Sequence, residues 1–449
     1  MSGFPKLSEE RERNEAGWVT VTDWEAEALS RDKQDELAGF RAHFYLKPDV
    51  IYMDGNSLGL LSRHAEASLL AVLETWKTSA IDGWTTGSSP WFYMAESLAK
   101  QTAALVGAEP HEVIVTNSTT VNLHQLIATL YTLRPQRPDQ NKILADALSF
   151  PSDLYALQSH LQLRGLDPEN HLLLVPGRQE QDGMLLDEDD IVAQMTPGVQ
   201  IALLPSVVYT SGQLLDVAYL TEQAHRRGII IGFDCSHSIG ALPHTFDAHD
   251  VDFAFWCSYK YLCAGPGASG GLYLNRRYFG RAPGLAGWFS SAKARQFDMK
   301  TTLEAAPDAG ALQIGTPNIL SMAPLQGALE LIHMAGMDRL RRKSLALTDF
   351  VMAMADAELT AEDVTIVTPR EADKRGGHVA MRHPEAMRIC KTLRAAGIVP
   401  DYRPPDIIRF APVALYSSFA DCCQTIRVLK SILESRAYEQ IGLDRDIVP

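Results

Sequence analysis

The chain has 449 residues, 46% hydrophobic and 21% charged, with no low-complexity tract and no internal repeat, a length that suits two or three domains sharing an interface. Its formal charge of −14 speaks against a nucleic-acid surface, which needs clustered Lys and Arg. No apolar run reaches membrane-spanning length, Met1 to Asn14 lacks the apolar core of a secretory signal, and the six cysteines have neither metal-ligand spacing nor disulfide-framework density. A reduced, cytoplasmic protein without a metal site is therefore expected, with a small molecule as its partner.

Residues 1–60 read as an N-terminal arm that adds to a small domain. Asp23 to Phe44 is a charged helical stretch, and Ile51 to Gly59 is a short strand running into a glycine-rich turn. Ser62 has the position of an N-cap for a helix reaching about Thr78. Ile81 to Trp91, rich in Gly, Ser, Thr and Trp, reads as an ordered loop. From Phe92 helix and strand alternate. The predicted strands are Glu112–Thr116, Lys142–Asp146, Leu172–Pro176 and Ile201–Pro205, and the helices are Met94–Val106, Val121–Tyr131, a segment ending near Leu163, and Leu215–Arg227. Such alternation implies a mostly parallel sheet covered on both faces, within a large domain spanning 61–320.

Two further strands carry the chemistry. Ile229–Phe233 ends in Asp234-Cys235-Ser236-His237, and Val251–Cys257 ends in Ser258-Tyr259-Lys260. Ligands collect at the carboxyl ends of strands in open α/β sheets. A lysine and a carboxylate delivered there suit pyridoxal phosphate, the amine forming a Schiff base and the acid partnering the pyridine nitrogen. A surface lysine and a helix-capping aspartate would leave the same local pattern. Asn117-Ser118-Thr119-Thr120 enters a helix N-terminus and offers amides, hydroxyls and a positive dipole end to a phosphate, or serves as an ordinary cap. Gly265 to Gly270 has dinucleotide-site glycine spacing but leads into a strand, so that reading is rejected.

Beyond Gly315-Thr316-Pro317-Asn318, a long helical stretch to about Met354 crosses into a C-terminal α+β unit, 321–449. Its basic cluster, Arg339 to Lys343, reads as the solvated face of a helix. Candidate strands are Val364–Thr368, His378–Arg382, Val399–Tyr402 and Ile407–Phe410, with helices Pro384–Ala396 and Ser418–Ser435. The sheet is expected to be mostly antiparallel.

Seven segments in order resemble the kynureninase family, pyridoxal-phosphate enzymes of fold type I (the aspartate-aminotransferase fold). They are Asp54–Gly59, Thr120–His124, Phe150–Asp153, Phe233–His237, Ser258–Leu262, Gly287–Phe289 and Ile408–Pro412. The resemblance covers nearly the whole chain. It implies hydrolysis of L-kynurenine to anthranilate and L-alanine, with 3-hydroxykynurenine as a second substrate. It also implies Lys260 as the Schiff-base lysine, Asp234 on the ring nitrogen, Phe150 stacked on the ring, and Asp153 and His237 beside it. Thr119, Thr120 and Tyr259 would hold the phosphate, with Tyr259 also shuttling protons. Trp288 and Thr316 would reach across a homodimer interface, and Ser57, Trp84 and Arg409 would meet the substrate, Arg409 gripping its α-carboxylate. Cys263, Val208, Trp84 and Thr316 depart from the family pattern; the last two bear on ring-substituent preference. An aminotransferase or a cysteine desulfurase of the same fold is the alternative, although no cysteine has the mobile-loop setting that a desulfurase needs. A scaffold that has lost catalysis is a third reading, opposed by the intact Lys260 and Asp234.

Overall fold

The computed structural model describes residues 9–14, 17–87, 89–132, 137–179, 182–360 and 364–442, with the backbone alone for 9–22; residues 1–8 of the Met1–Asn14 segment lie outside them. Two compact units emerge. The larger comprises Gly55–Asp338 with Thr368–Gly377, and the smaller comprises Met1–Asp54, Arg339–Val367 and His378–Pro449. The excursion of 368–377 into the larger unit has no signal in the sequence.

The larger unit is built on seven strands: β1 (Val113–Val115), β2 (Lys142–Asp146), β3 (Leu172–Val175), β4 (Val199–Pro205), β5 (Ile230–Asp234), β6 (Phe253–Trp256) and β7 (Gly271–Leu274). Their spatial order is β1-β7-β6-β5-β4-β2-β3. The pairs from β6 through β3 are parallel. Only β7 runs against its neighbours, β6 and β1. The reason is local: no helix lies between Trp256 and Gly271, and a parallel return needs a crossover element. The same absence removes the helix that a dinucleotide site at Gly265–Gly270 would require. Every side chain of β4 and β6 is buried, as near-continuous apolar runs in a covered parallel sheet demand. Burial of each large apolar side chain in β6 contributes about 1.5–3 kcal/mol.

Helices α1 (Arg63–Ser79), α2 (Met94–Val106), α3 (Thr119–Leu130), α4 (Pro151–Leu163) and α5 (Val217–Arg226) belong to this unit. Ser62 caps α1 as expected, its hydroxyl accepting from the Ala65 amide at 3.0 Å. The long helical stretch divides at Gly336 into α6 (Ile319–Ala335) and α7 (Met337–Glu358). One expectation fails on α7. Lys343 is not on a solvated face: it is 8% exposed, with its ammonium 2.7 Å from Asp35. Helical spacing puts it on the stripe of Leu340 and Leu347, so it points inward and takes a carboxylate with it.

The smaller unit carries an antiparallel sheet of β8 (Thr365–Ile366), β9 (Val379–Arg382), β10 (Asp401–Arg403) and β11 (Ile407–Phe410), ordered β8-β9-β11-β10. The single strand expected at Val399–Tyr402 is two. Ile398–Val399 pairs in parallel with Ile51–Tyr52, and β10 begins after Pro400, which has no N–H to donate to a ladder. Helices α8 (Ala386–Ala395) and α9 (Phe419–Ser435) pack their apolar faces with Phe350, Met381, Ile408 and Phe410 into one core. Ser418 starts α9 with a capping box, exchanging hydrogen bonds with Asp421. Asp23–Phe44 is helix only over Trp24–Gln34, with a 3₁₀ turn at Ala38–His43, and a hairpin of Glu9–Asn14 with Gly17–Thr22 precedes it unforeseen.

Candidate active site

Because β1 and β6 both run against β7, the strands β1, β2, β4, β5 and β6 all end on one edge of the sheet. Asp234 is the last residue of β5, and Lys260 follows β6 by four residues. The amine of Lys260 lies 2.8 Å from Nε2 of His237, which is 7% exposed. Asp234 is fixed by accepting from the Ser236 amide at 2.8 Å, an interaction local to the strand end. Asp153, 5% exposed in the first turn of α4, faces Asp234. Burial, then the like charge of Asp234 and a hydrogen bond to it, hold the Asp153 carboxyl well above the usual range, with Lys260 pulling the other way. Lys260, Asp234, Asp153 and His237 thus form one charged cluster, although they come from three separate segments.

The ring wall is aromatic. Phe150, 44% exposed, meets Tyr209 edge-on at 5.4 Å, and Tyr209 stands 6.3 Å from the His237 ring. Val208, a departure noted in the sequence, is buried beside it, and Cys263 is buried at a positive φ of 56°. The loop of Ser57 is tied to the lysine segment, with the Gly59 amide donating to the Tyr259 carbonyl at 2.8 Å.

Two helix N-termini converge nearby. The Thr120 hydroxyl in the first turn of α3 is 2.7 Å from the Ser152 hydroxyl in the first turn of α4. Gly270 lets the end of β6 close on α3: a Cβ there would stand 2.7 Å from the Trp256 carbonyl oxygen and 3.3 Å from the Thr119 amide nitrogen. Ser258, fully buried between Trp256 and Lys260, has a hydroxyl without a hydrogen-bond partner among the described residues. A buried hydroxyl left unmet just past the end of β6 can donate to a phosphate oxygen, as can hydroxyls and amides at helix N-termini. The hydroxyls, aromatic wall, carboxyls and amine together are the donor set that a phosphorylated pyridine aldehyde requires.

Other expected residues have neighbours of their own. Trp84 ends a 3₁₀ turn, packs on Trp91 at 5.9 Å and Phe289 at 6.4 Å, and lines a cavity of about 420 Å³ with Trp76, Pro317 and Asn318. Trp288 is 46% exposed, with Phe289 and Phe297 each 5.4 Å away, and Thr316 is exposed. No described hydrogen bond or ring contact joins either to Lys260. Arg409 belongs to the smaller unit, fully buried on β11 and ion-paired with Asp401. Sequence reasoning missed Ser152, Ser258 and Tyr209 as members of this region. It also missed Asp146, which burial pushes up to about 6 against the hydrogen bonds of Ser149 and Leu148. A hydroxyl-rich strand end was the available signal for the serines; nothing marked Asp146 as special.

A family model described as the kynureninase C-terminal domain matches residues 340–429. Kynureninases of Bacillus anthracis and Geobacillus thermodenitrificans are 54% and 51% identical over 421 residues, each covering 94% of this chain and 97% of theirs. Among solved structures, the apo cysteine desulfurase of Thermococcus onnurineus superposes with a TM-score of 0.75 at 20% identity, over 89% of this chain and 98% of that one. A cysteine desulfurase of Escherichia coli gives 0.72 at 19%, over 91% and 99%. At such identities the superpositions speak for the fold alone, which is the fold type I architecture that the sequence leads one to expect.

Proposed function

The chain belongs to the kynureninase family, and on that premise we propose that it hydrolyses L-kynurenine to anthranilate and L-alanine with pyridoxal phosphate, accepting 3-hydroxykynurenine as the poorer substrate. One observation carries the reading: the Lys260 amine sits against His237, in a cluster with Asp234 and the buried Asp153, beside two hydroxyl-lined helix N-termini.

Pyridoxal phosphate, when bound, supplies an electron sink for the bond broken at the substrate's α-carbon and then for the Cβ–Cγ bond. Thr119, Thr120 and Ser258 hold its phosphate through hydroxyls and helix amides. Asp234 keeps the ring nitrogen protonated, and Asp153 stands beside it with its carboxyl raised by burial and by Asp234. Lys260 exchanges its place for the substrate amine, then removes the α-proton and returns it, with His237 in hydrogen-bond reach to steer the free amine. Tyr259 assists that transfer. Arg409 takes the α-carboxylate through its planar fork, and Ser57 also meets the substrate. Water adds its hydroxyl to the γ-carbonyl carbon and its proton ends on Cβ, so that the acyl half leaves as anthranilate and the rest as alanine.

All six cysteines are buried, and burial raises each thiol, Cys235 and Cys263 to about 12. No accessible, acidic thiol is present to act as a desulfurase nucleophile. The same proposal makes the protein a cytoplasmic homodimer. Leu70, Trp76 and Ile81 leave an apolar stripe exposed around α1, and the exposed Trp288 and Thr316 are available to a second copy. No described helix is long and apolar enough to cross a membrane.

The deciding assay follows aromatic product and alanine from kynurenine and 3-hydroxykynurenine side by side. Trp84 offers a flat apolar face and one donor, so a ring hydroxyl would be desolvated without full compensation, at about 1–3 kcal/mol. The expected kcat/KM favours kynurenine by roughly tenfold. Equal efficiencies, or a reversed preference, would remove Trp84 from the ring; no turnover of either would remove the reaction.

A further inference from the structure

Arg409 on β11 and Asp401 on β10 stand directly opposite each other in the antiparallel register. Arg409 is 0% and Asp401 2% exposed. One Asp401 oxygen receives both Nε and Nη2 of Arg409, and Nε of Arg403 reaches the same oxygen at 3.1 Å. Burial depresses the Arg409 guanidinium, and Asp401 is the main group opposing that effect, with Asp54 adding to it and Arg403 working against it. Two opposite consequences follow for any anion that Arg409 is to hold. A permanent counter-ion partly neutralises the cation and weakens its pull. The same counter-ion fixes the plane of the guanidinium from its Nε edge, so that no rotamer freedom is lost when a ligand arrives. Anchor and arginine are joined by a turn of only Pro404, Pro405 and Asp406, so they move as one body.

We infer that Asp401 is a positioning residue for the substrate α-carboxylate, acting through Arg409, and that orientation outweighs neutralisation; this rests on the reading of Arg409 given above. The sign of the effect is what separates it from charge quenching. If Asp401 only quenched Arg409, its removal would tighten substrate binding. If it orients, removal loosens binding of molecules that carry the carboxylate and of no others.

The test uses cofactor-loaded enzyme, its loading checked by absorbance, in the variants Asp401→Asn, Asp401→Ala, Arg409→Lys and the double variant Asp401→Ala/Arg409→Lys. KM and kcat are measured for kynurenine, and the inhibition constant for kynuramine, which lacks the carboxylate. Misplacement on this scale costs about tenfold to a hundredfold, so Asp401→Ala should raise the kynurenine KM at least tenfold while kcat moves by only about threefold. Asp401→Asn, which keeps an acceptor oxygen and the side-chain length, should fall between, and it serves alone if the alanine variant does not fold. The kynuramine constant should stay put, and the double variant should be no worse than Arg409→Lys, because both act on one contact. A lowered KM, equal losses for kynurenine and kynuramine, or additive losses in the double variant would overturn the inference. An Arg409→Lys enzyme with an unchanged kynurenine KM would instead overturn the reading of Arg409. Loss in Arg409→Lys with none in either Asp401 variant would overturn the role of Asp401 alone.

Discussion

Replacing Gly59 by alanine should damage the site from behind. A Cβ at Gly59 would stand 2.3 Å from the Lys260 carbonyl oxygen, 2.6 Å from the Cys263 sulfur and 2.8 Å from the Cys263 Cα. A thiol can turn aside, but two of these three atoms are backbone, and the Lys260 carbonyl also accepts from the Cys263 amide at 2.9 Å. Overpacking of this kind costs about 1–3 kcal/mol. In a unit of this size each kcal/mol is worth roughly 2–4 °C, so the melting temperature should drop by about 2–6 °C if part of the clash relaxes. Relaxation means moving the Lys260 segment, and with it the amine now 2.8 Å from His237. Turnover should therefore fall about tenfold to a hundredfold, well beyond what the lost stability explains at assay temperature. Thermal melts, cofactor absorbance and kcat on the loaded variant measure the three effects. Adding Cys263→Gly removes the sulfur and suits the positive φ of 56°, yet leaves both backbone contacts, so rescue should be partial. Wild-type melting and turnover in Gly59→Ala would refute the close approach on which the reasoning stands.

Lys260→Ala should abolish turnover together with the cofactor's long-wavelength absorbance; activity surviving in that variant would remove Lys260 from the chemistry. Mixing Lys260→Ala chains with impaired Trp288→Ala chains should restore part of the activity through a whole hybrid site, and no recovery despite proven subunit exchange would count against shared sites. His160 connects α4 to α3 through a 3.0 Å contact with His124, while Arg164 donates to its other ring nitrogen at 3.0 Å, so the ring must be neutral. Burial, helped by His124 and Arg164, depresses His160 to about 4 from 6.5, so the contribution is complete above pH 6.5 and drains away as the pH falls towards 4. Melting temperature should decline more steeply over that window in the wild type than in His160→Gln, and parallel curves would clear His160.

The parts of the fold legible in the sequence were those where one physical demand dominates. Strands β2, β4, β5 and β6 had to be apolar along most of their length because both sheet faces are covered, and they were found within a residue or two. The cap at Ser62 was visible because a hydroxyl must stand where helix amides lack partners. Lys343 was misread because charge is a weaker guide than helical phase: its spacing from Leu340 and Leu347 pointed inward, and the compensating Asp35 lies far away in sequence. Asp23–Phe44 failed for a related reason, a run of charged residues carrying no sign of where its helix tightens into a 3₁₀ turn.

The candidate site divides along the same line. Lys260 and Asp234 could be named from strand ends, since each is a polar residue just past an apolar run, whereas Asp153 could be named only through the family resemblance. Their proton inventory could not, because it depends on burial and mutual distance. Asp146, Asp153 and Asp234 gather three carboxyls; burial lifts the first to about 6, while burial together with the like charge of Asp234 and a hydrogen bond to it holds the second well above its ordinary range. A strand tip shows that an acid is present, not whether it is ionised. A raised Asp153 carboxyl would present less negative charge to a neighbouring ring nitrogen than a fully ionised pair, whose members would repel each other. How far that carboxyl is raised depends first on its burial in the first turn of α4, a property that belongs to the packing of Pro151–Leu163 and to no motif.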